Sequence, residues 1–335
     1  LPGFDAIRAS HVESTAWLLA RDGRPLQSLR LDLTVRRLPW TPLEEVSPAL
    51  LRALLASEDR RFYEHSGVDW NAVAASAWRN LWNSRTRGAS TLTMQLAGLL
   101  EDAERRQGRR NLLQKIGQAA TALRLEQDWR KDQILEAYLN LVSFRGELQG
   151  IAAMSRGLFG KWPDGLDERE AALAVALLRG PQAAPDTVAT RACSVLKALG
   201  RPAEACAGLD AMARLALSGA LRDGWFGPEQ AHDLALHLGR KLLSRPGERL
   251  TTTLDGTLQR LAADSLERHL GALRQQHVAD GAVLVVDNAS GEILAWVGSS
   301  GKSSTAAEVD GATALRQAGS TLKPFSTVWP SSAGT

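Results

Sequence analysis

The chain is 335 residues long, 44% hydrophobic and 23% charged, with 40 basic against 37 acidic side chains. That is the make-up of a folded globular protein with room for two separately packed domains. No run approaches the roughly 18 apolar residues that a membrane span needs, no signal peptide is recognisable at the start, and a net charge of +3 with no recognition motif beside it argues against a nucleic-acid partner. The first predicted element is a hairpin, Trp17 to Ala20 and Leu26 to Leu33, turned at Asp22-Gly23. A helix then begins at Ser47 and Pro48, a good cap and first-turn pair, and carries Leu50, Leu51, Leu54 and Leu55 on one stripe. The same spacing puts Glu58 and Phe62 on the stripe that faces the core. A carboxylate there loses water and is a candidate proton acceptor; an ion pair with Arg61 on the next turn accounts for it equally well.

Trp78 and Trp82 share a helix face with Val73 and Ala74, which reads as core. Gly88 to Gln95 follows, a Ser/Thr-rich helix start able to cap its own backbone. The helix Asn111 to Glu126 buries Leu112, Ile116, Ala119 and Leu123, and sets Lys115 and Gln118 one turn apart on another face, within reach of a common ligand. Arg105, Arg106, Arg109, Arg110 and Lys115 form a basic cluster suited to an anion or to plain solvation. Lys131 to Asn140 is amphipathic, with Ile134, Leu135, Tyr138 and Leu139 inward and Glu136 and Asn140 as an i, i+4 pair that ties helices together. Asp167 caps a helix to Arg179 with Glu170 three residues on, and Gly180-Pro181 stops it. Cys193 and Cys206, the two cysteines of the chain, read equally as a disulfide or as two buried thiols. From Thr251 the pattern alternates: a helix with Leu258, Leu261 and Leu266, then a hairpin of Ala282 to Asp287 and Glu292 to Val297. Near the end, Ser320 and Lys323 are spaced to share a helix face, where an amine can take a hydroxyl proton.

Four of these segments together resemble glycosyltransferase family 51, the peptidoglycan polymerases that form the catalytic N-terminal half of class A penicillin-binding proteins. They are Glu58-Asp59-Arg60-Arg61-Phe62-Tyr63-Glu64-His65-Ser66-Gly67-Val68-Asp69, Gly88-Ala89-Ser90-Thr91-Leu92-Thr93-Met94-Gln95, Gln114-Lys115-Ile116-Gly117-Gln118, and Lys131 to Asn140. The likeness runs from about Leu38 to Pro185. Met94 and Gln118 look like the 1C branch of that family, whereas Gly98 and Gln114 stand where the family carries basic residues. Gly319-Ser320-Thr321-Leu322-Lys323-Pro324-Phe325 resembles the Ser-x-x-Lys motif of penicillin-binding transpeptidases.

The resemblance implies a mainly α, lysozyme-like glycosyltransferase domain at 46–245, after a β-hairpin and linker at 1–45. It is followed at 246–335 by the truncated start of an α+β penicillin-binding transpeptidase domain. The implied activity is polymerisation of lipid II into glycan strands by inverting transfer, with polyprenyl pyrophosphate leaving. Glu58 would be the general base, and Asp59, Phe62, His65, Ser90, Thr91, Gln95, Lys115, Gln118 and Arg124 would bind substrate. Ser320 and Lys323 would be the nucleophile and base of an inactive transpeptidase. A divalent cation, magnesium or manganese, is the one cofactor left open. Expected partners are lipid II, the growing strand, the membrane surface, met in part through Trp78 and Trp82 with Arg79, Arg85 and Arg87, and cell-wall synthesis proteins. The expected location is the periplasmic face of the bacterial inner membrane, with an anchor helix ahead of the first residue. A competing reading is a non-catalytic scaffold weakened at Gly98, Gln114 and Gln118. Since no Ser-x-Asn or Lys-Thr-Gly segment occurs in the chain, penicillin is expected not to acylate it stably. A covalent fluorescent-penicillin band that disappears in Ser320→Ala would contradict this.

Overall fold

The computed structural model describes residues 1–71, 90–104, 112–219, 234–301, 304, 306–315, 317–319 and 323. The Trp78 and Trp82 face and Arg105, Arg106, Arg109 and Arg110 of the basic cluster lie outside them. The chain forms two compact units, residues 1–15 with 30–229 and residues 16–29 with 230–335.

The first unit is helical. Its helices are α1 (Phe4–Ser10), α2 (Pro48–Glu58), α3 (Leu92–Glu104), α4 (Leu112–Asp128), α5 (Lys131–Leu141), α6 (Ile151–Phe159), α7 (Glu168–Leu178), α8 (Pro185–Ala198) and α9 (Leu209–Leu217). The central helix is α7, whose residues Glu170 to Leu177 are all buried. Such all-round burial suits a run of alanines, since small side chains let neighbouring helices approach on every side. Helices α2 and α8 both pack on it. Local signals set its start: the Asp167 side chain accepts from the amides of Arg169 and Glu170, and the Glu170 carboxylate reaches back to the Asp167 amide. Ser47 caps α2 by accepting from the Ala49 amide at 3.2 Å, and its hydroxyl also donates to the Leu166 carbonyl at 2.6 Å. One side chain thus starts one helix and fastens it to the approach of another.

Glu136 and Asn140 are structural: they tie α5 to the segment Trp40 to Leu43, and Glu136 also lies 3.9 Å from Arg8 on α1. The Glu136 carboxylate accepts from Trp40 Nε1 at 2.7 Å and from the Leu43 amide at 2.9 Å. The Asn140 side-chain amide accepts from the Thr41 amide and donates to the Thr41 carbonyl, each at 2.8 Å, and also donates to the Glu136 carbonyl at 2.9 Å. These buried groups satisfy backbone polar atoms of Thr41 and Leu43 that are left without a partner in a strand or in the first turn of a short helix. Gly67 (φ +90°) lies against the α4 backbone: a Cβ there would come within 2.7 Å of the Ala122 carbonyl oxygen. Both the dihedral and the approach demand glycine.

In the second unit, β1 (Thr15–Leu19) and β2 (Pro25–Arg30) are adjacent strands joined through the expected turn. Strand β2 stops at Arg30 rather than Leu33, because Asp32 Oδ1 accepts from the Thr34 and Val35 amides and bends the chain. The pair is also not free-standing. Strand β3 (Arg249–Thr251) runs parallel to β1, with Trp17 opposite Arg249 and Leu19 opposite Thr251. After the short α10 (Leu236–Leu242), helix α11 (Gly256–Leu273) starts on an Asp255 cap and lays Leu258, Ala262 and Leu266 against the antiparallel hairpin β4 (Val283–Val286) and β5 (Ile293–Val297). Buried Gln259 joins them, since its amide donates to the Trp296 carbonyl and accepts from the Trp296 amide, both at 2.7 Å. Burial works against a charged Asp280, but donors from Ser304, Ser300 and Gly281 outweigh it and bring this carboxyl down to about 2.

Cys193 on α8 and Cys206, 13 residues on, form a disulfide. It closes a short loop and fixes α8 to the segment before α9. Loop-closure entropy puts its contribution at about 3 kcal/mol. Replacing both cysteines with alanine should lower the unfolding free energy of the first unit by about that amount in chemical denaturation; an unchanged midpoint would contradict the estimate.

Candidate active site

The C-terminal end of α2 opens onto a cleft of about 770 Å³ whose walls include Ser57, Glu58, Ser90, Gln95, Arg179 and Arg191. Glu58 is the last residue of its helix, and its side chain is 11% exposed, enough for one edge of the carboxylate to meet a ligand. Oxygen Oε1 accepts from Ser57 Oγ at 3.0 Å and from Arg179 Nε at 2.9 Å. Among the described residues, oxygen Oε2 meets a single donor, Gln95 Nε2, at the long distance of 3.4 Å. The two oxygens are therefore unequal: one is committed to the protein and the other is nearly free to take a proton. Gln95 is itself held from behind, because the Tyr138 hydroxyl donates to its Oε1 at 2.9 Å. Burial, and then the nearby Glu58 charge, push the Tyr138 phenol well above its ordinary range, so it remains a neutral donor.

Of the remaining residues of the first signature, Asp59 and Arg60 also line the cleft. Asp59 is buried, where it accepts from the Leu92 amide at 3.0 Å and faces His65 Nε2 at 3.0 Å. His65 Nδ1 is buried with no hydrogen-bond partner among the described residues. Phe62 is a core residue, with the Lys131 ammonium 4.3 Å from its ring centroid. That lysine also donates to the His65 carbonyl and to Glu126, each at 2.7 Å. Lys131, from the fourth signature, thereby fastens the first. Arg61 is not the partner of Glu58; its Nε donates to Asp69 Oδ2 at 3.0 Å.

Ser90 is exposed on the cleft wall. Thr91, one residue on, is buried and works on the backbone: its hydroxyl donates to the Gly67 carbonyl at 2.6 Å and accepts from the Met94 amide at 3.1 Å, capping α3. Gln118 on α4 lies against Gly98 on α3, where a Cβ would stand 2.8 Å from the Gln118 amide nitrogen. Two departures from the family pattern are thus neighbours, and a side chain at 98 has to displace the end of Gln118. Arg124 is exposed on α4. Lys115 is on the same helix, but its side chain lies outside the described residues, as does Ser320; Lys323 belongs to the second unit. Sequence reasoning passed over Arg179 and Lys131, and took Tyr138 for core alone. A basic residue at a helix stop carries no sign of a partner 121 positions away.

Residues 22–200 match the family model described as Transglycosylase. Penicillin-binding protein 1C of Escherichia coli is 36% identical over 92% of this chain and 39% of its own length. Penicillin-binding protein 2D of Bacillus subtilis is 31% identical over 85% of this chain and 43% of its own. The Biosynthetic peptidoglycan transglycosylase of Rhodospirillum centenum is 39% identical over 48% of this chain and 68% of its own. The chain thus spans about two-fifths of the length of the first two relatives.

Removing the Tyr138 hydroxyl tests the support behind Glu58. Tyr138→Phe keeps the ring in the core but leaves Gln95 Oε1 without its donor, which should cost about 1 kcal/mol of stability. Equal stability of the two proteins in denaturant would show that this hydrogen bond does not hold Gln95.

Proposed function

The chain belongs to the transglycosylase family, and from that premise we propose that it is a peptidoglycan glycosyltransferase that polymerises lipid II, with Glu58 as its general base. The observation that carries the reading is the half-committed carboxylate at the cleft. Oε2, with one long contact, accepts the proton of the C4 hydroxyl of the acceptor sugar as that oxygen attacks the anomeric carbon of the lipid-linked donor. The C4–O–C1 bond forms as the bond to polyprenyl pyrophosphate breaks. A single displacement of this kind inverts the anomeric centre and requires a base but no protein nucleophile. The carboxylates on the cleft are consistent with that: beside Glu58 there is Asp59, already occupied by His65 and the Leu92 amide.

Negative charge grows on the departing pyrophosphate and calls for cations. Lys115 and Arg124, on α4, are the residues we assign to it, with Ser90 and Gln95 taking sugar hydroxyls. Asp59 lines the same cleft, and we assign Phe62, His65 and Thr91 to holding the signature in place and Gln118 to the substrate. The described residues contain no group of three or more His, Cys, Asp or Glu side chains able to hold a metal ion, so no step is assigned to one. By the same reading 46–245 is the catalytic domain and 246–335 the start of a transpeptidase domain. The protein works at the periplasmic face of the inner membrane, on a lipid substrate and alongside other wall-synthesis proteins.

Glu58→Gln keeps the shape of the side chain and removes the base. Polymerisation of lipid II should fall by about 10²- to 10⁴-fold, the usual loss on deleting a general base, with the fold intact by circular dichroism. Near-normal strand synthesis by this variant would refute the assignment, and an inactive parent chain would favour the scaffold reading.

A further inference from the structure

We propose that Arg179 is a positioning residue for the reaction, a clamp that locks the Glu58 carboxylate with Oε2 turned to the cleft; the inference rests on Glu58 being the base. Arg179 follows the last residue of α7 and keeps the helical backbone (φ −78°, ψ −10°) up to Gly180 and Pro181, so its side chain departs from a fixed point. It grips the end of α2 at two places. Nε donates to Glu58 Oε1 at 2.9 Å, and Nη2 donates to the carbonyl of Ser57.

Both acceptors belong to the last turn of α2, where carbonyls lack helical partners and the helix dipole is negative. A carboxylate in that position is repelled by its own helix, and a cation bonded to both groups offsets the repulsion. The Arg179 side chain is 54% exposed, so solvent screens the attraction and the clamp acts through geometry more than energy. The planar guanidinium fork fits two acceptors at once, which a lysine ammonium on its flexible stem does poorly. With Arg179 and Ser57 Oγ on Oε1, rotation of the carboxylate is blocked and Oε2 is left for the acceptor hydroxyl. Arg179 does not contact the reacting atoms in this scheme.

Lipid II kinetics with Arg179→Ala, Arg179→Lys and the Glu58→Gln/Arg179→Ala pair test the clamp. Misplacing a catalytic group should lower kcat by about 10- to 100-fold in Arg179→Ala while KM changes by less than about 2-fold, because positioning rather than binding is lost. Arg179→Lys, which keeps the charge and so guards against a folding defect, should fall between the two. In the Glu58→Gln background the alanine change should cost nothing more, since there is no base left to orient. A raised KM with unchanged kcat, or an equal further loss without Glu58, would overturn the proposal. A second arm does not depend on turnover. In protein carrying ¹³C-glutamate, the Glu58 carboxyl resonance, identified by its loss in Glu58→Gln, should move in Arg179→Ala at neutral pH. An unmoved resonance rejects the clamp even if the parent chain proves inactive, which by itself would count against the glycosyltransferase reading only.

Discussion

A carboxylate at the C-terminal end of a helix is in an unfavourable place, and the candidate site depends on how that placement is maintained. The free carbonyls of the last turn repel Glu58, so its orientation rests on Ser57 of its own helix and on donors brought by other helices. Arg179 follows α7, Gln95 lies on α3, and Tyr138 on α5 holds Gln95 in turn. The position of one oxygen atom is therefore fixed by the packing of four helices. This is the link between the core and the chemistry: small residues along α7 allow α2 and α8 to close on it, and that closeness brings Arg179 to Ser57 and Glu58.

Features with local causes were legible in the sequence. Ser47-Pro48 and Asp167 with Glu170 start helices as expected, since a cap needs only neighbours within a turn. The apolar stripe of α2 pointed to Glu58, because periodicity reports which face is buried. It could not choose the partner of Glu58. Arg61 was the candidate within reach along the chain, but it pairs with Asp69, and the cation that meets Glu58 comes from far down the sequence. Thr91 shows the same limit in another form. A hydroxyl at a helix start suits sugar or backbone equally, and only the location of the Gly67 carbonyl shows that this one is engaged by the main chain.

Long-range pairing also organises the second unit. The N-terminal strands read as a hairpin, and β1 takes a further, parallel partner more than two hundred residues later. No turn signal announces such a pairing, because a parallel ladder needs a long connection. The cysteine pair was ambiguous for a related reason: spacing allows a bond but does not orient the two side chains. In the fold it fastens α8, whose Arg191, Ser194 and Val195 line the cleft, so a covalent link stabilises one wall of the site.

Stereochemistry offers the most direct test of the central claim, that a single oriented carboxylate activates the acceptor for one displacement. The purified chain would be incubated with lipid II and the anomeric configuration of the new linkage read by NMR on the isolated strands. The account predicts glycan strands in which the configuration is inverted relative to the donor. Strands with retained configuration, which require a covalent glycosyl-enzyme, or the absence of any strand, would contradict it.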